Sequence, residues 1–288
     1  MANAKHSIRL LGVSVFAAFT ALLLCSHVSY AADKIGDCEL TGKKGSMPVN
    51  VVTAGQVTVQ VALPAPGWYN GNTPETINNG YEYCMAAEMA YRAGYDKLVV
   101  VNTTWASLIA GQTKDYDFAL SEASITEPRK KVVSFSIPYF SSDLGILVKK
   151  GTEIDESSIR TKRIGVHQGT TGADFVANVL KPTTPVRTFP QTAEMFTALI
   201  AGQVDVVLTD TAYVLGQQAN SHGTLDTVGQ YSTGESYGAI YPKTSPNNAG
   251  WDKIIQSMID DGTLNKLAQK YLAEAWGADP TKIPYWKP

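Results

Sequence analysis

The sequence has few of the residues that metal and redox sites require. Three cysteines and four histidines occur among its 288 residues, and no group of Cys and His has the spacing of metal ligands. We therefore expect no metal site and no cofactor.

An excess of charge of one sign is also lacking. The chain has 24 basic and 26 acidic residues, a net charge of −2. Nucleic-acid-binding domains are commonly marked by a basic surplus. We expect no nucleic-acid partner.

Long hydrophobic runs are lacking beyond the amino terminus, where residues 10–24 form an uncharged apolar stretch of 15 residues. A membrane-spanning helix needs about 20 residues. Lys5 and Arg9 precede the stretch and Ala31 ends a small-residue site, a pattern typical of a secretory signal peptide. We predict a signal peptide at residues 1–31 and export to the periplasm, with a retained anchor as the alternative.

Two cysteines remain after such cleavage. Cys25 would leave with the signal peptide, and Cys38 and Cys84 would remain as an even pair in an oxidising compartment. A disulfide between them would tie an irregular N-terminal arm, residues 32–56, to the body of the protein. The alternative is a buried Cys84 on a helix and a mobile Cys38.

Strand and helix patterns alternate twice along the chain. The first set spans residues 57–120 and the second spans residues 163–208, each with three β-branched or apolar strands separated by helices. Two such sets predict mostly parallel sheets with helices on both faces. The expected fold class is α/β with two Rossmann-like lobes.

A repeated segment supports two lobes of similar plan. Leu-Ile-Ala-Gly-Gln occurs at residues 108–112 and again at 199–203, each time followed by an Asp and an apolar strand. Polar residues follow each strand, Ser121 and Glu122 in the first copy and Asp210 in the second. Polar groups at strand carboxyl ends predict a ligand cleft, although helix C-capping alone could produce the repeat.

Several blocks resemble one known family. Ser-Ile-Thr-Glu-Pro-Arg at residues 124–129 precedes Phe-Ser-Ile-Pro-Tyr at 135–139, and further blocks lie at 165–171, 201–205 and 261–264. Over about residues 57–272, this pattern is similar to the periplasmic solute-binding proteins of polar amino-acid ABC importers, the bacterial extracellular solute-binding proteins of family 3.

The resemblance implies a periplasmic-binding-protein type II architecture with a two-crossing hinge. Lobe 1 would comprise residues 57–145 and 242–288, and lobe 2 residues 146–241. The crossings are expected near residues 144–148 and 238–241.

The same resemblance implies a function. The protein would bind a small amino acid or analogue between its lobes, close around it, and deliver it to an ABC permease in the inner membrane. We expect a monomer that is not an enzyme.

Charged residues are expected to hold the two ends of the ligand. The resemblance assigns the ligand's α-carboxylate to Arg129, whose planar fork suits two carboxylate oxygens. It assigns the α-ammonium group to Asp210. The alternatives are a surface arginine and a helix-capping aspartate.

Hydroxyl groups are expected to assist. The resemblance places Ser121 and Ser124 beside the ligand. Thr170 and Thr171 precede a predicted helix, where free N–H groups and hydroxyls make an anion site, although a threonine there could also be a helix cap. Glu122 departs from the small or hydroxyl residue that the family pattern implies, and would meet a cationic or hydrogen-bond-donating side group or point into solvent.

Three aromatic residues match positions beside the ligand in the family. They are Trp68, Tyr69 and Trp105, with core packing as the alternative for each.

An enzyme on the same fold is the alternative function. The chain also resembles periplasmic cyclohexadienyl or arogenate dehydratases, in which Glu122 or His167 could be recruited as a general acid or base.

Overall fold

The computed structural model describes Met1 and residues 33–288. Apart from Met1, the predicted signal peptide lies outside the described residues. None of the helices within residues 33–288 is long and apolar enough to cross a membrane.

The secondary structure alternates as the sequence predicts. The strands of the described residues are β1 Lys34–Ile35, β2 Cys38–Glu39, β3 Val57–Val61, β4 Leu98–Asn102, β5 Phe118–Ala119, β6 Ser134–Phe135, β7 Phe140–Ser141, β8 Leu144–Lys149, β9 Ile164–His167, β10 Arg187–Phe189, β11 Val206–Asp210, β12 Leu225–Tyr231, β13 Ser236–Tyr237 and β14 Ile240–Tyr241. The α-helices in the same residues are α1 Tyr81–Ala93, α2 Trp105–Ile109, α3 Glu127–Lys130, α4 Thr171–Phe175, α5 Thr192–Ile200, α6 Thr211–Asn220, α7 Asn248–Asp260, α8 Thr263–Ala268 and α9 Glu274–Trp276.

Two five-stranded sheets of the same plan form two lobes. The order is β4-β3-β5-β14-β6 in lobe 1 and β10-β9-β11-β8-β12 in lobe 2. In each sheet the first three strands are parallel and the fourth is antiparallel to both neighbours. Four of five strands therefore share one direction, which confirms the predicted mostly parallel sheets. The antiparallel strand is β14 in lobe 1 and β8 in lobe 2. In each case it is the strand that the chain forms directly after it arrives from the other lobe.

The central strands are buried on both faces. All five residues of β3 are buried, and so are the first five of β8. Apolar strands of this kind are typical of sheets covered by helices on both sides. The two lobes thus each have an apolar core, with Trp251 in the first and Ile146 in the second.

The N-terminal arm covers α1, whose thirteen residues are all buried. Within the arm, β1 and β2 form a short hairpin in a segment predicted to be irregular. Cys38 and Cys84 form a disulfide bond, with 5.4 Å between their Cα atoms. The sequence alone leaves this pairing open. Glu88 on α1 also accepts hydrogen bonds from the arm, at 2.9 Å from Thr41 N and 2.7 Å from Gly42 N.

The crossings between lobes differ from the predicted positions. β7 and β13 pair antiparallel between the two large sheets, with Ser141 opposite Ser236 and Phe140 opposite Tyr237. Residues 144–148, expected to be a hinge, form the buried part of β8. The chain passes between the lobes at residues 140–143 and 232–238, which include the paired strands β7 and β13.

The C-terminal segment corrects the predicted lobe 1 boundary at residue 288. Beyond α9 the chain returns to lobe 2, where Gln230 N donates to Pro284 O and Trp286 N donates to Gln230 O, both at 2.9 Å. Trp286 packs against the lobe 2 core. The segment thus covers the outer edge of β12 and makes a third connection between the lobes.

Candidate functional site

A cavity lined by residues of both lobes lies between them. Lobe 1 lines it with Ala62, Trp105, Ser121, Glu122, Ser124 and Arg129, and lobe 2 with His167, Thr170, Thr171, Thr192, Thr209, Asp210 and Tyr213.

The lining residues follow the carboxyl ends of parallel strands. Ser121 and Glu122 come after β5, His167 ends β9, and Asp210 ends β11. Because β5 and β11 occupy the same place in their sheets, the two repeated segments deliver equivalent strand ends to opposite walls of one cleft.

Arg129 is the central cation of the cavity. Its side chain comes from the short helix α3, which Thr126 caps by accepting a hydrogen bond from Arg129 N. The guanidinium donates to Ser124 O at 2.7 Å and, across the cleft, to Gly169 O at 3.0 Å. It also lies 4.9 Å from the centre of the Trp105 ring. Burial lowers the pKa of Arg129 despite the nearby carboxylates, with Asp210 the largest opposing influence.

Asp210 is the corresponding anion from lobe 2. Its carboxylate accepts a hydrogen bond from the hydroxyl of Tyr237, which is buried in the crossing strand β13. Burial raises the pKa of Asp210 to about 7, with Tyr237 opposing the rise. The predicted helix-capping alternative is not what the structure shows, because the Asp210 side chain makes no capping hydrogen bond to α6.

Glu122 lies on the lobe 1 wall and does not point away into solvent. Its Oε1 is buried and has no hydrogen-bond partner among the described residues. Burial is the largest cause of a pKa well above the ordinary value for Glu122, and the negative charges of Glu82 and Asp210 add to it.

The predicted hydroxyl residues all line the cavity, with part of their capacity already used. Ser121 Oγ accepts a hydrogen bond from Ala62 N at 3.1 Å. Thr170 caps α4 by accepting from Ala173 N at 3.2 Å. Thr171 Oγ1 donates to a Glu235 carboxylate oxygen at 2.7 Å.

Of the three aromatic residues predicted beside the ligand, one lines the cavity and two are buried in the core. Trp105 lines the cavity and leaves its buried indole N–H without a partner among the described residues. Trp68 and Tyr69 are each 1% exposed and do not line it, which corrects their expected place beside the ligand. Trp68 packs edge-on against Tyr81 and Phe140 in the lobe 1 core, and the Tyr69 hydroxyl donates to Leu120 O.

The lobes are in direct contact across the cleft. Besides the bond from Arg129 to Gly169, the Tyr213 hydroxyl donates to Pro64 O at 2.7 Å. The Trp105 and His167 rings face each other with 6.3 Å between centroids. These contacts belong to a closed arrangement, since separation of the lobes would break each of them.

Several lining residues were missed from the sequence. Tyr213 follows Asp210 by three positions at the start of α6, a spacing that could have indicated a shared face. Thr192 begins α5 at the cleft. Glu82 lies on α1 behind the cavity wall, and no sequence signal distinguishes it from an acid on an exposed helix face.

Comparisons with known proteins agree with this architecture. Residues 65–274 match the family of bacterial extracellular solute-binding proteins, family 3. The L-cystine-binding protein TcyJ of Escherichia coli (strain K12) is 28% identical over 208 residues, 70% of this chain and 76% of that protein.

Solved structures of the same fold include an ancestral arginine-binding protein bound to arginine, with 29% identity and a TM-score of 0.67 over 75% of this chain and 98% of that one. The ancestral amino acid-binding protein AncCDT-1, a precursor of cyclohexadienyl dehydratase, has 28% identity and a TM-score of 0.65, over 76% of this chain and 95% of that one. With the family match spanning most of the chain, the protein belongs to the bacterial extracellular solute-binding proteins of family 3.

Proposed function

We propose that this protein is the periplasmic substrate-binding component of an ABC importer and that it binds one amino acid or close analogue in the cleft. The observation that carries the proposal is the pairing of opposite charges on one cavity. Arg129 comes from lobe 1 and Asp210 from lobe 2, and both side chains reach the same space. An α-carboxylate and an α-ammonium group complement this pair.

The remaining hydrogen-bond capacity fits the same ligand. Arg129 uses two of its five N–H donors on Ser124 O and Gly169 O, so three remain for a carboxylate. The Ser121 hydroxyl, which accepts from Ala62 N and keeps its O–H donor, also lines the cavity. Asp210 can accept from an ammonium group while it keeps the Tyr237 hydrogen bond.

Ligand binding in such a cleft favours closure. A ligand held by Arg129 on one side and by Asp210 on the other stabilises the arrangement in which both are near it, and so shifts the population of lobe positions. The closed form of the monomer is then the form that an inner-membrane permease would recognise. The named binding activities of TcyJ and of the ancestral arginine-binding protein support an amino-acid ligand.

A thermal-shift screen tests the proposal. The mature protein, freed of bound ligand by partial unfolding and dialysis, is heated with each amino acid, with polyamines and with small carboxylic acids. We expect at least one amino acid to raise the melting temperature, with one binding site per chain by calorimetry. A response only to polyamines or only to simple carboxylic acids would contradict the paired-charge reasoning.

We also propose that the cleft performs no catalysis, because the named activities of the similar proteins are binding activities and His167 has no ring nitrogen free for a substrate. Both ring nitrogens of His167 are engaged within lobe 2, Nε2 at 3.2 Å from Pro190 O and Nδ1 at 3.1 Å from Thr192 Oγ1. A general acid or base needs a nitrogen free to reach the substrate. Formation of a decarboxylated aromatic product from prephenate or arogenate by purified protein would overturn this proposal.

A further inference from the structure

The cavity contains more acid than the backbone groups of an amino acid require. Asp210 suffices for the α-ammonium group, and Arg129 for the α-carboxylate. Glu122 then remains on the lobe 1 wall with a buried, unpaired Oε1 among the described residues. A buried carboxyl oxygen without a partner is costly, so this oxygen favours a ligand group that can pair with it.

The backbone fixes where Glu122 lies. Its φ is 47°, in the left-handed region that residues other than glycine rarely adopt. Its N–H donates at 2.9 Å to Oε1 of Glu82. The conformation is therefore supported by a hydrogen bond to a second carboxyl group, which lies directly behind the wall.

Glu82 is itself enclosed. It is 0% exposed, Tyr139 donates its hydroxyl to the same Oε1, and Oε2 has no partner among the described residues. Glu82 does not line the cavity, so it holds the Glu122 backbone from behind and adds a negative field to it.

We propose that Glu122, positioned by Glu82, determines the side-chain specificity of the cleft and selects amino acids whose side chain carries a positive charge. The inference rests on the proposed amino-acid function and names the class of ligand. A cationic group would pair with the free Glu122 oxygen, and a side-chain carboxylate would be repelled by it. An aliphatic side chain would leave the oxygen unpaired.

The surrounding ionisable groups favour a positive partner. Acids predominate around Glu122, and the hydrogen bonds of the Arg129 guanidinium go to Ser124 O and Gly169 O and not to Glu122. The groups whose charges interact with Glu122 are Glu82, Asp210, Tyr69, Tyr139, Tyr213 and Tyr237, while His167 and Arg129 share the cavity.

Binding of such a ligand should release a proton. Burial and the negative charges of Glu82 and Asp210 raise the pKa of Glu122 well above its ordinary value, and a ligand cation on the free oxygen lowers it again. The lowered pKa releases protons to the buffer wherever the pH lies between the pKa values of the empty and the occupied cleft. Asp210 contributes a similar release with every amino acid, so a neutral isostere is needed as the reference.

Calorimetry with pairs of charged and neutral ligands tests the inference. Arginine is compared with citrulline, and lysine with norleucine, in the wild-type protein, in Glu122→Gln and in the exposed control Glu127→Gln. We expect the wild type and the control to prefer each charged ligand by at least tenfold, and Glu122→Gln to lose most of that preference. Repetition in phosphate and Tris should show more protons released with arginine than with citrulline.

The pH dependence of arginine affinity tests whether Glu82 acts on the charge of Glu122 or only supports the structure. Glu82→Gln keeps an oxygen acceptor for Glu122 N–H but removes the charge that raises the pKa of Glu122. The charged-ligand preference should persist, and the pH at which arginine affinity rises should move downward. An unchanged pH profile would remove Glu82 from the inference.

Other outcomes separate this inference from the proposed function. Equal or tighter binding of citrulline and norleucine by the wild type would overturn the inference and leave amino-acid binding intact. A preference that survives Glu122→Gln would also overturn it. If no amino acid binds, both proposals fail. The wild-type ligand pairs test the inference even if Glu122→Gln does not fold.

Discussion

Replacement of Arg129 by methionine should remove most of the affinity for an amino acid. Arg129 is 9% exposed and offers three N–H donors to the cavity after those to Ser124 O and Gly169 O are counted. Methionine fills much of the same space beside Trp105 but donates no hydrogen bond. Arg129→Met therefore removes the carboxylate clamp together with the hydrogen bonds to Ser124 O and Gly169 O.

The expected magnitude follows from the bonds lost. A hydrogen bond to a charged group contributes about 1.5–3 kcal/mol. Loss of two such bonds weakens binding by about 3–6 kcal/mol, or roughly 10²- to 10⁴-fold in Kd. We expect at least the lower end of this range, about 100-fold.

Isothermal titration calorimetry with the best amino acid provides the assay. Lys130→Met is the matched control, because Lys130 lies on the same short helix and pairs with the exposed Glu127. Arg129→Lys should be intermediate, since lysine keeps the charge but loses the planar fork. Affinity of Arg129→Met within threefold of the wild type, with circular dichroism showing a folded protein, would refute the carboxylate clamp.

Three further predictions concern stability. Because burial raises the pKa of Asp210 to about 7, the folded state holds its proton more tightly than the unfolded chain, and stability falls as pH rises from about 4 to 7. In urea titrations, Asp210→Asn should be about 1–2 kcal/mol more stable than the wild type at pH 8 and equal to it at pH 4; a destabilised variant at pH 8 would contradict this. Reduction of the Cys38–Cys84 bond, which closes 46 residues, should cost up to about 4 kcal/mol, measured as a lower melting temperature in reductant; an unchanged melting temperature would count against it. Trp286→Ala should destabilise lobe 2 by about 1–2 kcal/mol in chemical denaturation, whereas the exposed Lys287→Ala should not; equal effects would show that the C-terminal segment contributes little.

Much of the site could be predicted because it depends on strand ends. Alternating strands and helices imply parallel strands, and parallel strands bring their carboxyl ends to one edge. That reasoning alone places Ser121, Glu122 and Asp210 on the cleft, and the structure brings all three to one cavity. Arg129 required the family resemblance, since an arginine after a turn has no intrinsic sign of burial.

The positions of the aromatic residues and of the C-terminal segment could not be predicted, because they depend on tertiary packing. An aromatic residue in a loop fits a core and a cavity wall equally well, and for Trp68 the core contacts with Tyr81 and Phe140 decided the outcome. The path of the C-terminal segment depends on Gln230, whose side chain donates to Pro280 O and Ile283 O. Neither contact has a local pattern, because the partners are distant in the sequence.

The most direct test of the central claim is a crystal structure of the mature protein with its best amino-acid ligand. We predict one ligand between the lobes, with its α-carboxylate on the Arg129 guanidinium and its α-ammonium group on the Asp210 carboxylate. A ligand bound elsewhere, such as in the separate cavity behind the crossing strands near Trp276 and Tyr285, or one bound in the cleft without contact to Arg129 and Asp210, would contradict the account.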